Sequence, residues 1–415
     1  MKIAIVGSGI AGLTCAYLLN RQHDIQVFEA SDWIGGHTHT VDVQVEGRSY
    51  AIDTGFIVFN DWTYPNFIRL LEQIGVGFKP TEMSFSVSDP ATGVEYNGHD
   101  LNTLFAQRSN LLSPAFWGML RDILRFNRQS LDDLANNRIS ADTTLGQYLE
   151  SNGYGRRFIE HYIVPMGSAI WSMSLADMLG FPLQFFVRFC KNHGLLSVSD
   201  RPTWQVIEGG SRSYVAPLTE SFAERIRLNC PVSRVVRDQD GVTLHSAAGA
   251  ERFDKVIFAC HSDQALALLD QASEKESEIL GALPYANNDV VLHTDTRLLP
   301  KRKLAWASWN YRLGGPSDQP AAVTYDMNIL QGIDSATTFC VSLNQTAAID
   351  PSKILARFQY AHPQYSLAGT AAQARWEELL GAQHTYYCGA YWANGFHEDG
   401  VVSALRVARA FGETL

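Results

Sequence analysis

Along the first thirty residues the spacing of apolar positions changes twice. Lys2 is followed by the unbroken apolar run Ile3-Ala4-Ile5-Val6, short enough to be a buried strand. Gly7-Ser8-Gly9-Ile10-Ala11-Gly12 interrupts it, and the apolar residues that follow have helical spacing. A second strand, Ile25-Gln26-Val27-Phe28, ends at Glu29, seventeen residues beyond Gly12. Strand, glycine turn, helix, strand and acid in this order predict a dinucleotide-binding unit. The first glycine makes the tight turn and the second lets backbone approach a diphosphate. The third lets the helix pack against the strand with its N-terminus aimed at the phosphates. Glu29 is placed to accept hydrogen bonds from a ribose diol, and an acid there argues against a 2′-phosphate.

Beyond Glu29 the pattern predicts a hairpin, strands 41–45 and 49–52 about the turn Glu46-Gly47-Arg48. From about 62 to 200 helical spacing dominates, over 66–74, 114–127, 144–152, 156–163 and 175–191, with a short strand at 84–88. The nucleotide-binding pattern returns at Ile207-Glu208-Gly209-Gly210. A helix is expected over 213–225, strands over 226–228, 232–236, 242–245 and 254–260, and a helix over 262–269. Residues 287–370 again alternate strands with aromatic segments. The chain then ends in a strand at 385–388, a glycine-rich turn and a helix over 403–411. The expected layout is discontinuous. Residues 1–61, 205–286 and 380–415 form the nucleotide-binding domain, and 62–204 with 287–379 form a substrate domain.

Two domains suit 415 residues, and 46% hydrophobic with 18% charged residues suits a well-packed protein. A net charge of −10 argues against nucleic acid as a partner. The six cysteines are scattered, which is expected of buried reduced thiols in a cytoplasmic protein, and no metal motif is found. The N-terminal strand is not read as a secretion signal, because glycines interrupt it and the fold needs it. No apolar run reaches the ~18 residues of a membrane span.

Gly35-Gly36, seven residues past the acid, is out of place in a nicotinamide dehydrogenase and fits a longer cofactor. With the glycine turn, Glu29, Ile207-Glu208-Gly209-Gly210, Cys230–Val235 and Gly389–Gly400, it resembles the flavin-dependent amine oxidase, protoporphyrinogen oxidase and phytoene desaturase superfamily over essentially the whole chain. The resemblance implies FAD and an α/β fold: a Rossmann-like FAD-binding domain of the two-dinucleotide-binding type, with an inserted helix-rich, sheet-containing substrate domain. Carried over residue by residue, the cofactor set is Gly7, Ser8, Gly9, Ala11 and Gly12, then Glu29 and Ala30. Gly35, Gly36, His37 and Thr38 follow, with Thr54, Gly55 and Phe56, Val232 at the adenine, and Gly389, Phe396, His397 and Glu398 near the flavin ring. His37 stands where many relatives carry arginine. Asp289–Asp295, the counterpart of a strand that carries a lysine in amine oxidases, has none, and Phe396 replaces one tyrosine of their paired cage.

A narrower resemblance rests on Asp53–Asn60, Leu304–Tyr311, His362-Pro363 and Gly395–Gly400. It is to bacterial FAD-binding proteins encoded beside cyclopropane-fatty-acid synthases, or fused to the plant enzymes. It implies an oxidoreductase that desaturates or oxidises a methylated or unsaturated acyl chain, in a phospholipid, by hydride transfer to flavin N5. It also implies a cyclopropane-synthase-like methyltransferase as partner. Two alternatives stand beside it: an oxidase of hydrophobic amines, and a flavin-bearing accessory protein of a cyclopropane synthase.

His397 and Glu398 are the candidate catalytic bases, since dehydrogenation also releases a proton. Glu398 and Asp399 equally suit a cap on the following helix, expected near Val401, whose positive end would face the flavin. Trp306, Asn310, Tyr325 and Phe396 are candidates for the pocket wall, against a competing role as ordinary core. On helix 114–128 an apolar arc is edged by Arg121, Arg125 and Arg128. That suits either a helix packed on the core or one lying on the inner face of an anionic membrane.

Overall fold

A computed structural model describes residues 1–314 and 318–415; Gly315-Pro316-Ser317, within the expected 287–379 segment, lie outside the described residues. The fold is mixed α/β. Its nucleotide-type sheet is five parallel strands in the order Ile226–Arg227, Asp24–Phe28, Lys2–Val6, Lys255–Phe258, Thr385–Tyr387. Lys2–Val6 is central, which is why its four apolar residues are all buried. From it the chain turns to one side for the second strand, and only at Lys255 does it build the other side. The carboxyl ends of Lys2–Val6 and Lys255–Phe258 therefore flank the topological switch point, where such sheets bind ligands. The first helix, Ile10–Leu19, and the last, His397–Ala410, pack together here: a Cβ on Gly400 would stand 2.8 Å from Ile10 Cγ2.

The second large sheet has seven strands in the order Ile354–Pro363, Tyr285–His293, Cys340–Leu343, Val323–Asp326, Trp309–Arg312, Phe85–Asp89, Val94–Asn97. Only the Trp309–Arg312 and Phe85–Asp89 pair is parallel. One face packs on the largest apolar core, which buries Phe116, Phe126, Phe158, Phe181 and Phe186 completely. A three-stranded sheet of Val58–Asn60, Trp204–Ile207 and Phe78–Pro80 completes the centre of the molecule.

Several elements differ from expectation. The helix expected over 175–191 is two, Leu175–Leu179 and Leu183–Asn192, because Pro182 cannot continue the first. The helix expected over 213–225 is a tight turn at Ser211–Tyr214 and a short helix Val215–Thr219. The helix at 156–163 widens by a turn at Ile159–Ile163 and runs on to Trp171. The last helix starts at His397, not near Val401, because Asp399 accepts from the Phe396 N–H at 2.9 Å and caps it there.

Pro114–Ala135 is longer than expected, and its apolar arc faces the core: Phe116, Met119 and Phe126 are buried. Its outer stripe of Trp117, Arg121, Leu124 and Arg128 is exposed, beside Leu111 and the 88%-exposed Leu112. No described helix is long and apolar enough to cross a membrane.

Candidate active site

The glycine turn is dictated by contact. A Cβ on Gly12 would lie 2.1 Å from the Gly7 carbonyl oxygen, so no other residue lets the helix start here. A Cβ on Gly9, by contrast, would meet nothing within 4 Å: this glycine faces open space. Ala11 is buried beneath it. Gly9 pairs with Gly35, and Gly36 packs on the Gly9 Cα, so the Gly35-Gly36 loop crosses the turn. The Ser8 hydroxyl ties the two, accepting from Gly35 N at 3.2 Å and donating to Glu29 at 2.6 Å. Glu29 also accepts from Ser8 N and Ser31 N, both at 2.9 Å. Ala30 beyond it is exposed. The Glu29 carbonyl binds Cys230 N at 2.8 Å, which brings the strand beginning at the buried Val232 alongside.

His397 lies at the start of the last helix, inside the protein. Its Nε2 meets Thr38 Oγ1 at 3.0 Å and the Tyr214 hydroxyl at 3.2 Å, and its ring stacks on Phe56. Burial, with His37 nearby, holds its imidazole well below the usual histidine range, so it is neutral. Thr54 donates to the His39 carbonyl at 3.0 Å and shares the Tyr360 hydroxyl, while Gly55 touches the His37 carbonyl. Gly389 donates to Ser403 Oγ at 2.9 Å. Asp53, in the middle of this region, binds Thr40, Ser211 and Gln331. Burial pushes its carboxyl up to about 6 against those hydrogen bonds.

Glu398 does not carry a free carboxylate. It accepts from Asn66 N at 3.1 Å, Asn66 Nδ2 at 2.6 Å and Phe67 N at 2.9 Å, capping the helix Pro65–Gln73. Asp399 caps its own helix, and burial raises its carboxyl to about 6. Of the two candidate bases, His397 is thus held by two hydroxyls and Glu398 by three donors.

Of the pocket candidates, Phe396 stacks on Phe189 with centroids 5.3 Å apart and borders a cavity of about 390 Å³ with Trp62, Tyr64, His193 and the two acids Glu398 and Asp399. Behind Phe189 stand Trp171, Phe181, Phe185 and Tyr365. The Tyr365 hydroxyl is sealed from solvent without a partner. Tyr325 is buried against Trp309 on the core face of the seven-stranded sheet. Asn310 is excluded from a shared wall. It pairs with Thr324, one residue out of phase with Tyr325, so it points to the opposite face, and it bonds Ser86, Ala307 and Thr324 there. Trp306 is likewise engaged in a surface loop, on the Pro300 carbonyl and under Lys303. Tyr214, Tyr365 and Phe189 were not expected at the site; their positions depend on long-range packing that no local spacing announces.

The residues at the glycine turn fit a bound dinucleotide. The Gly9 backbone faces free space, Glu29 sits at the strand end, and the His37 Nε2 is buried without a partner. A family model described as flavin containing amine oxidoreductase matches residues 10–328. A 1-hydroxycarotenoid 3,4-desaturase of Flavobacterium sp. is 29% identical over 36% of this chain but only 29% of its own length. A putative flavin-containing monoamine oxidase, AofH of Mycobacterium tuberculosis, is 23% identical over 79% of this chain and 71% of its own. A CLA-producing fatty acid isomerase from P. acnes superposes with a TM-score of 0.69 at 16% identity, covering 99% of this chain and 98% of that one.

Proposed function

The chain belongs to the flavin-containing amine oxidoreductase family and is an FAD-dependent oxidoreductase; from that premise we propose that it dehydrogenates an acyl chain, a methylated or unsaturated fatty acyl group of a phospholipid. Bound FAD would supply the acceptor for the two electrons and two hydrogens, a hydride and a proton, that leave the substrate. The chain's own residues hold the cofactor at Gly7–Gly12, Glu29 and Gly35–Thr38, and the flavin end near Phe56 and His397.

One observation carries the substrate class. Phe396 is walled by aromatic side chains, and the two carboxylates beside it are both committed to helix caps. The aromatic side of the cavity takes up methylene groups, each contributing about 0.8 kcal/mol of binding. The two acids that line the cavity, Glu398 and Asp399, already accept backbone N–H groups, which weakens their hold on an ammonium group. The Tyr365 hydroxyl, buried without a partner behind Phe189, is a candidate polar contact for the substrate. The acyl reading is supported by a fatty acid isomerase that shares the fold and by the carotenoid desaturase that matches part of the chain. The exposed stripe of Trp117, Arg121, Leu124 and Arg128 with Leu111 and Leu112 suits contact with an anionic bilayer that presents the chain.

Oxidation of a hydrophobic amine is the second reading, favoured by the monoamine oxidase that matches most of the chain, and the aromatic wall could receive a cation on its faces. Anaerobic reduction separates the two. Anionic vesicles whose lipids carry methyl-branched or unsaturated chains are expected to bleach the oxidised-flavin absorbance. Bleaching by simple hydrophobic amines, with no response to any such vesicle, would make amine oxidation the activity.

A further inference from the structure

Three histidines from separate parts of the chain meet beside the glycine turn. His37 follows the Gly35-Gly36 pair, His261 follows the strand Lys255–Phe258, and His362 lies on the strand Ile354–Pro363. The His37 ring centroid is 5.8 Å from that of His261 and 5.6 Å from that of His362. Both His37 and His261 lie one residue beyond a contact with the turn. A Cβ on Gly36 would stand 3.2 Å from the Gly9 Cα, and one on Gly7 would stand 3.1 Å from Cys260 N. The cluster therefore lies at the switch point, next to the open space over Gly9.

The surroundings leave imidazole nitrogen available to a ligand. The His37 Nε2 is sealed without a partner, and the ring's hydrogen bond goes to the Ala361 backbone. Tyr285 stacks on His261, Tyr360 lies 5.3 Å from His37, and Asn288 Nδ2 meets His362 Nδ1 at 2.9 Å. The other titratable groups facing the cluster are Cys260, His397 and, through the Tyr360 hydroxyl, His39. The carboxylates close by are Glu29, already bonded to Ser8 and Ser31, and the exposed Asp263. Among the described residues no lysine or arginine pairs with any of these histidines, and no three metal-binding side chains are grouped to hold an ion. Burial holds His37 and His261 at about 4 and His362 at about 3, so all three are neutral near pH 7.

We propose that His37, His261 and His362 form a proton-linked anion cradle for the FAD diphosphate, in place of a fixed cationic side chain. Neutral imidazoles donate N–H bonds to phosphate oxygens. The negative charge of the diphosphate then favours imidazolium, so binding takes up protons. The sign follows. The histidine pKa values are higher with cofactor bound than without. The grip is therefore strongest at low pH and is lost as pH rises through the bound-state values.

The test is release of FAD from the holoprotein, read as recovery of free-FAD fluorescence, across about pH 5 to pH 9. Each linked proton changes affinity by up to about tenfold per pH unit within its window. Release from the wild-type protein is expected to accelerate with pH. His37→Arg should flatten that dependence, and His261→Gln and His362→Gln should release FAD quickly already at low pH. A wild-type release rate that does not vary with pH would overturn the proposal. So would glutamine variants that speed release by the same factor at every pH, since that marks packing alone. If a variant fails to fold, the wild-type slope still decides.

Discussion

Glu398 belongs to one helix and completes another. Its carboxylate answers the open N–H groups at the start of Pro65–Gln73, which has no capping side chain of its own. Glu398→Ala is expected to cost about 1–2 kcal/mol, read as a lower urea midpoint, because it leaves those donors unpaired. Full stability with turnover abolished would instead restore Glu398 as a base. Gly12→Ala is the sharper test of the turn. With a Cβ 2.1 Å from the Gly7 oxygen, the variant should purify without flavin absorbance or fail to fold. Gly12 and Glu29 were legible because their roles are set by local spacing in one strand–turn–helix unit. The target of Glu398 was not, since which helix end a carboxylate reaches depends on where a helix 332 residues away comes to lie.

Between elements, the buried pair Arg237 and Glu276 joins the strand Val232–Asp238 to the helix Glu274–Gly281, and the Tyr387 hydroxyl adds the edge strand Thr385–Tyr387. Burial pushes the Glu276 carboxyl up, but Arg237, Tyr387 and Ser273 outweigh this and hold it at about 2. Its folded value lies below the ordinary 4.5, so its contribution is full above that pH and is lost as pH falls towards 2. Glu276→Gln should lower stability at neutral pH by about 3–5 kcal/mol, as expected for breaking a buried pair. The same variant should flatten the acid limb of a pH–stability profile; an unchanged limb would contradict the assignment. At this scale the strands were legible from their apolar runs. The failures have physical causes. Pro182 splits a helix whose apolar spacing runs straight through it, and Asn310 cannot share a wall with Tyr325 because only the cross-strand register places them on opposite faces.

For the molecule as a whole, the parallel sheet and its ligand edge followed from the first thirty residues, and the discontinuous return to it from the apolar runs near 226, 255 and 385. The pocket wall did not. It gathers Trp171, Phe181, Phe189, Tyr365 and Phe396 from distant segments, and each alone reads as an ordinary core aromatic. The cofactor should matter to stability on this scale, since it binds only the folded protein. FAD at about one hundred times its Kd contributes about 2.7 kcal/mol, so stripping it should lower the calorimetric Tm, and restoring it should raise the Tm again. A Tm indifferent to FAD would mean the turn is not a cofactor site.

The contact between the first and last helices has a consequence for how the protein is made. Cys15 Sγ touches Cys388 Sγ at 3.8 Å across 373 residues, and it reaches the Ala404 carbonyl as well. During synthesis the glycine turn leaves the ribosome well before the helix His397–Ala410 that packs against its own helix. The nascent chain must therefore carry a half-built cleft while the residues between them are made. FAD loading is then expected to wait for His397–Ala410, so the supply of free flavin after that helix is made, rather than earlier in elongation, should set the yield of active protein.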